Sequence, residues 1–562
     1  MNFPSFSKII FVLVLEVVFL VPALHAQTPS GGWVHLNADG RLAYKADARG
    51  NQIPDFSNVG YHGGGVAIPD LPVKVTLEPS AGDAGARIQA AIDQVAKLPV
   101  GAEGWRGAVL LKKGRYPIQG TLRLHTGGIV LRGEGNGENG TVLIATGAKQ
   151  RSLIVVGGKE GRLSVDDDNA PASTSAPMGK KLSCRITDNY VPVGAHRFHV
   201  DNPVALRVGM AVVVRRPSTA EWIHDLGMDR IPSANHPVVQ WKPGSKDLLF
   251  NRKVTALNGN EVTVDAPLVC ALEQKYGGGE LLTASPDDAI RECGVENLRG
   301  DSEFKGAVDE AHGWVLVDLI AARDSWVRRV TSIHFGYSCV FEHIGSRAIT
   351  IEHCECLDPI SQITGSRRYS FALDGQLTLV QHCYARNGRH DFVMHALAAG
   401  PNVFYDCTAD LAHADSGPHH RWSVGVLYDN VTVNGTPGKT MSGVGLNIRN
   451  RGNMGTGHGW SGANQVAWNC TAAEMIIQQP PTAQNWAIGC RAANHTGDAY
   501  WESFGTPVQP KSLYESQLLV EIRSGSGFVE NVALAAARCW FGVWSRNHAV
   551  IKRHCVTSKL GL

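Results

Sequence analysis

Four short motifs carry the residue types best suited to chemistry: GSRRYS (365–370), NGRHDF (387–392), SGPHHRW (416–422) and GTGHGW (455–460). Six of the chain's 22 histidines (His382, His390, His395, His413, His419 and His420) crowd into residues 381–430, together with Arg386, Arg389 and Arg421. An arginine fork binds a carboxylate through two parallel hydrogen bonds. An imidazole takes or gives a proton near neutral pH, and a tyrosine hydroxyl donates one. Together these groups can pull a proton from a carbon beside a neutralised carboxylate and protonate a departing oxygen. The candidate catalytic set is Tyr369, Arg389, His390, His420 and Arg421. The candidate binding set is Arg368, Asp391, His419, Trp422, His458 and Trp460, the tryptophans serving as stacking platforms.

The elements that must hold these residues follow from spacing. Tyr369, His390 and His420 are 21 and 30 residues apart. Cys354, Cys383, Cys407, Cys470, Cys490 and Cys555 each close a short extended run (ITIEHC, TLVQHC, NVFYDC, QVAWNC, NWAIGC, AVIKRHC). A local pattern returning every 20 to 30 residues is the mark of a solenoid. In a parallel β-solenoid, equivalent positions stack about 4.8 Å apart. Small, apolar cysteine suits an interior stack at a bend, so the thiols read as a ladder, with His353 and His382 as bend residues beside it. The only close pair, Cys354/Cys356, has no second pair at zinc spacing. The polar motifs then fall at turns on one rigid scaffold, where sites are usually built.

Composition agrees. Of 562 residues 62 are glycine, about 11% against a usual share of roughly 7%. Only 19% are charged, and the formal net charge is +2. Such a chain turns often and is rich in strands; it is neither disordered nor basic enough to track nucleic acid. Residues 1–26 read as a secretory signal: Lys8, the apolar run Ile9–Leu20 broken by Glu16, then Pro22 and Ala26. The mature protein, from about Gln27, is expected to be secreted or periplasmic and to carry no membrane span. Residues 27–183 form a lead-in, a helix and the first coils. Ile88, Ile92 and Val95 in that helix lie on one face. Residues 184–283 break the pattern with strand runs and an Asn258-Gly259 turn, read as a small antiparallel, barrel-like insert. Residues 284–562 hold the main coils.

The stretch IQAAID, GAVLLKKGRYPIQGTLRL, GIVLRGEG and TVLIATG resembles the N-terminal cap and first coils of the pectate-lyase-like family. The likeness covers 80–150 well and the coils from about 285 to 558 more loosely. It implies an all-β right-handed parallel β-helix with a capping helix, acting on polysaccharide. The residue set then suits β-elimination on a uronic-acid polymer, with arginine neutralising the carboxylate and His/Tyr as base and acid. Hydrolysis would need two carboxylates flanking the bond, about 5 to 10 Å apart; Asp391, Asp410, Asp415 and Asp429 are the candidates. A non-catalytic, carbohydrate-binding β-helix is the third alternative. The family's WIDH-type segment and the NTD…DD…HG…RIK series of its polygalacturonases are absent. Many of its lyases use Ca2+, for which Asp166-Asp167-Asp168 and Asp287-Asp288 are the acidic runs to consider. The oligomeric state is not readable from the chain.

Overall fold

The computed structural model describes residues 28–29, 32–158, 178–233, 235–284, 289–435 and 444–524. The signal segment, both acidic runs and the coil expected around Cys555 lie outside the described residues.

The coils stack as a parallel β-helix. Val327, Ile351, Val380, Phe404, Tyr428, Ala467 and Ala487 are register partners on successive coils, all buried. Their spacing sets the aromatic stacks inside: Phe404 lies 5.4 Å from Tyr428 and Phe371 lies 5.7 Å from Phe392, rings nearly parallel.

One bend explains the cysteine pattern. Asn297, Arg329, His353, His382, Asp406, Asn430, Asn469 and Gly489 hold equivalent positions on successive coils, and all have φ between 49° and 68°. That left-handed conformation is tolerated best by Gly, Asn, Asp and His. The next residue turns into the core, and there stand Cys354, Cys383, Cys407, Cys470 and Cys490. Each thiol donates to a carbonyl one coil back: Val327, Ile351, Val380, Tyr428 and Ala467 respectively. The ten cysteines among the described residues are buried free thiols.

Helix α1 (Gly85–Ala96) lays Ile88, Ala91, Ile92 and Val95 on the first coil, in the same core. A second parallel sheet forms one face of the solenoid. Its strands in coil order are β1 (Leu122–Leu124), β2 (Arg151–Gly157), β3 (Gly313–Ile320), β4 (Ser338–Glu342), β5 (Tyr369–Leu373), β6 (His390–Met394) and β7 (Gly417–Pro418). A short strand of the next coil, β8 (Gly445–Ile448), follows.

Between β2 and β3 the chain makes a six-stranded antiparallel sheet, running from Met178 to Ala284. One of its hairpins turns through Gly259, φ 61°. The sheet and the short helix α2 (Ala220–Asp225) have their own core, which continues into coil residues Ala399, Trp422, Val424 and Ala463. Finally, α3 (Leu513–Ser524) seats Leu513 and Tyr514 beside Trp468 and Trp486. No helix of the described residues is long and apolar enough to cross a membrane.

Candidate functional site

The polar motifs lie where the chain enters and leaves β5, β6 and β7. Left-handed residues make each turn: Ser366 and Arg368 before β5, Asn387 before β6, Arg421 and Trp422 after β7. Parallel pairing sets Tyr369 opposite His390, with ring centroids 5.0 Å apart.

His390 is held by the next coil. Its Nδ1 lies 2.5 Å from the backbone carbonyl of Asp415 and 3.1 Å from that residue's carboxylate. Both are acceptors, so Nδ1 carries the proton and Nε2 keeps a lone pair. Nε2 has no protein partner. The Asp415 carboxylate also accepts from Arg451 (2.7 Å) and Asn447 (3.3 Å). Burial opposes its ionisation, but Arg451 and His390 hold it well below the usual carboxylate range. Burial lowers the His390 pKa, offset in part by Asp415.

Tyr369 completes the group. Its hydroxyl accepts from Arg389 Nη1 at 3.4 Å and lies 3.1 Å from His419 Nε2. Arginine can only donate, so the phenol gives its own proton to His419. His420 and His458 extend the row, with ring centroids 5.2 and 5.0 Å from His419. Burial holds His419 and His420 well below the usual histidine range and pushes His395 and His458 down to about 3. His395 has neither nitrogen paired, and Nδ1 of His419, His420 and His458 is unpaired too. A buried polar atom without a partner costs about 1–3 kcal/mol. Five buried, neutral imidazoles have nitrogens unmatched inside the protein, hydrogen-bonding capacity that the fold itself does not use.

The structure thus brings together Tyr369, Arg389, His390, His419, His420 and His458, with Arg421 reaching Thr456 of the last motif at 2.9 Å. Four expected positions differ. Arg368 is buried, its guanidinium donating to the Ser361 and Asn387 carbonyls rather than facing a substrate. Asp391 takes the other side of the strand from His390. It accepts from Ser370 and lies near Cys356 of the core, and burial pushes it up to about 7. Trp422 is fully buried edge-on against Trp222 of α2, centroids 5.0 Å apart. Trp460 packs on the same insert core. Both tryptophans anchor the insert to the coils; Trp422 offers no stacking face, and Trp460 is half-buried.

Asp415, His395 and Arg451 stand in the group without having been singled out for it. Asp415 lies 25 residues after His390, a one-coil spacing that could have signalled the pair. Arg451 comes from a loop with no motif.

The candidate carboxylates for hydrolysis are scattered. Asp391 faces inward. Asp410 accepts from Tyr384 and Asn434. Asp429 accepts from Ser512 and the Tyr514 amide beside α3. The lining does not fit calcium, which takes six to eight oxygen ligands: its carboxylate, Asp415, is already bound by Arg451, Asn447 and His390. Among the described residues no group of three His, Cys, Asp or Glu is placed to hold a metal ion.

No family model and no curated protein sequence matches the chain. Solved structures with a similar fold include the gp61 tailspike of Pseudomonas phage phi297, at 12% identity and TM-score 0.39, over 75% of this chain and 68% of that one. Another is a mutant tailspike of E. coli bacteriophage HK620 in complex with pentasaccharide, at 8% identity and TM-score 0.36, over 84% and 69%. A third is a DFA-IIIase from Arthrobacter chlorophenolicus A6 in complex with GF2, at 9% identity and TM-score 0.34, over 75% and 79%.

Proposed function

We propose that the chain is an exported polysaccharide lyase that cleaves a uronic-acid-containing polymer by β-elimination. One observation carries the reading: a histidine whose Nδ1 proton is fixed by Asp415 and whose Nε2 lone pair is unmatched, beside a tyrosine hydroxyl that an arginine contacts.

Arg389 pairs with the substrate carboxylate and makes the neighbouring C5 proton acidic. His390 Nε2 takes that proton. The C–H electrons become the C4–C5 double bond, the C4–O bond breaks, and the Tyr369 hydroxyl protonates the departing oxygen. Asp415 stays ionised and stabilises the imidazolium that forms on His390, the role an aspartate plays beside a catalytic histidine. A low resting pKa keeps His390 neutral and able to accept. His419 holds the Tyr369 hydroxyl until substrate turns it.

The test is to offer uronic-acid polymers to the purified protein, with and without chelator, and follow the ultraviolet absorbance of unsaturated ends. The reading expects absorbance to rise on at least one polymer with chelator present, and to stay flat for His390→Ala. New reducing ends without absorbance would replace elimination by hydrolysis.

A further inference from the structure

A hollow of 560 Å³ lies on the outer face of the early coils, and none of the His390 group lines it. Register stacks Pro117, Ile144, Asp301 and Ile333 on four successive coils, a length of roughly 14 Å at 4.8 Å a step. Arg115, Ile144, Asp301 and His334 reach the hollow from these coils. The 303–311 loop, which runs on to β3, makes its wall.

That wall is fixed by the protein itself. The Glu303 amide donates to the Ala145 carbonyl at 3.1 Å. Both oxygens of Asp309 accept from loop amides, Lys305 at 2.8 Å and Ala311 at 2.9 Å. Buried His312 closes the loop: its Nδ1 accepts from Ser302 and its Nε2 donates to the Ile360 carbonyl, each at 2.8 Å. Arg367 of the first motif grips Glu310 with two donors, each at 2.8 Å, and so ties the loop to the turn before β5. A preformed wall spares a ligand the cost of ordering it.

Phe304 stands on this wall with 41% of its surface exposed. His334 meets the ring at an angle, centroids 4.8 Å apart, and the ring lines the hollow. It is an apolar platform that the fold does not cover. The charged groups around it are only partly engaged. Asp301 accepts from His334 Nδ1 at 3.2 Å, and Asp309 is held by the two amides. Among the described residues Arg115 and Lys305 have no ion pair or side-chain hydrogen bond, though Asp309 feels the Lys305 charge. Glu303 is the one lining carboxylate left beside these two cations. The unpaired charge is therefore positive on balance. An aromatic face next to an arginine fork suits an acidic sugar, whose C–H face is apolar and whose carboxylate matches the fork.

We propose that the hollow is a second saccharide site, which binds an acidic residue of a glycan with its C–H face on Phe304 and its carboxylate at Arg115 and Lys305. Small-molecule sites hold about 300–1,000 Å³, so this one has room for a short stretch of glycan. The site rests on the proposed function for its acidic polymer but takes no part in the elimination; it anchors the glycan on coils upstream of His390.

The full chain carrying His390→Ala, which should not turn over, is titrated by calorimetry with oligogalacturonate, oligoglucuronate and oligomannuronate, and with a neutral cello-oligomer for comparison. Saturable binding of at least one acidic oligomer is expected. Adding Phe304→Ala should weaken it by about tenfold or more, and Phe304→Tyr should restore it. Arg115→Gln with Lys305→Gln should weaken it by a similar factor and remove its dependence on salt. The ring and both cations are exposed, so these variants should melt as the parent does. Binding that is unchanged by Phe304→Ala, or no binding of any acidic oligomer, would overturn the site. A neutral oligomer that binds as tightly would overturn its assignment to acidic sugars. Unsaturated ends from the parent are read separately. Their absence with binding intact removes the elimination and leaves this site; their presence with binding indifferent to Phe304→Ala does the reverse.

Discussion

Asp415→Asn isolates the electrostatic part of the site. The substitution keeps the backbone carbonyl that lies 2.5 Å from His390 Nδ1, so the tautomer survives. It removes a negative charge whose oxygen lies 3.1 Å from that nitrogen. With charge centres near 4 Å and an effective dielectric of about 20, a full imidazolium loses about 4 kcal/mol of stabilisation. If half that charge has developed when the C–H bond breaks, the barrier rises by about 2 kcal/mol, or roughly thirtyfold in kcat. That is well short of the roughly 10⁴-fold loss seen where such a change reverses the tautomer. The sign of the pH effect is fixed as well. Without Asp415 the imidazolium is harder to form, the His390 pKa falls further, and the acidic limb of the rate profile moves to lower pH. Losing one partner also leaves Arg451 buried beside a neutral amide, for about 3–5 kcal/mol of stability, so melting is measured alongside kinetics of the still-folded variant. His390→Ala with Asp415→Asn should cost no more activity than His390→Ala alone. A kcat within about twofold of the parent, with an unmoved profile, would refute the assignment.

Tyr369→Phe removes the proton donor but keeps the ring; kcat should fall about 10²- to 10⁴-fold with KM nearly unchanged, and steady-state kinetics at saturating polymer would show it. Trp422→Ala should act on stability rather than substrate affinity, lowering stability by about 3–5 kcal/mol through the lost contact with Trp222; a normal melt with a raised KM would return Trp422 to the substrate-binding set. Burial pushes Glu342 up to about 8 while Thr378 donates to it. A carboxyl raised in the folded state is stabilising while protonated and loses that as pH climbs from its unfolded value through about 8, on the order of 4 kcal/mol. Thermal melts from pH 6 to 9 should therefore fall more steeply for the parent than for Glu342→Gln. The ladder thiols should resist alkylation in the native protein and react once it is unfolded, as mass spectrometry would count.

The coil was legible because its bend repeats a chemical requirement. A residue that accepts positive φ is followed by a small interior side chain, and HC, DC, NC or GC recurs at that spot from His353-Cys354 to Gly489-Cys490. The histidine cluster was legible by its density. What the sequence hid is which way a side chain points. His390 and Asp391 are neighbours in the chain, yet the strand sends one to Tyr369 and His419 and the other inward beside Ser370. Arg368 looked like a binding cation, but its side chain is buried and the Ser361 and Asn387 carbonyls take its donors. The role of Trp422 depends on a helix 200 residues upstream in the chain, a contact with no local signature. The position of His458 likewise depends on the insert, whose Val239 amide donates to the Thr456 carbonyl.

The most direct test of the account is the product of digestion. Matched samples of the parent protein and His390→Ala, each confirmed folded, are incubated with a panel of uronic-acid polymers, and the products are sized by mass spectrometry. The account predicts that the parent alone releases oligomers lighter than the hydrolytic products by one water, the mark of a C4–C5 double bond. Products at the full hydrolytic mass, or the same products from His390→Ala, would contradict it.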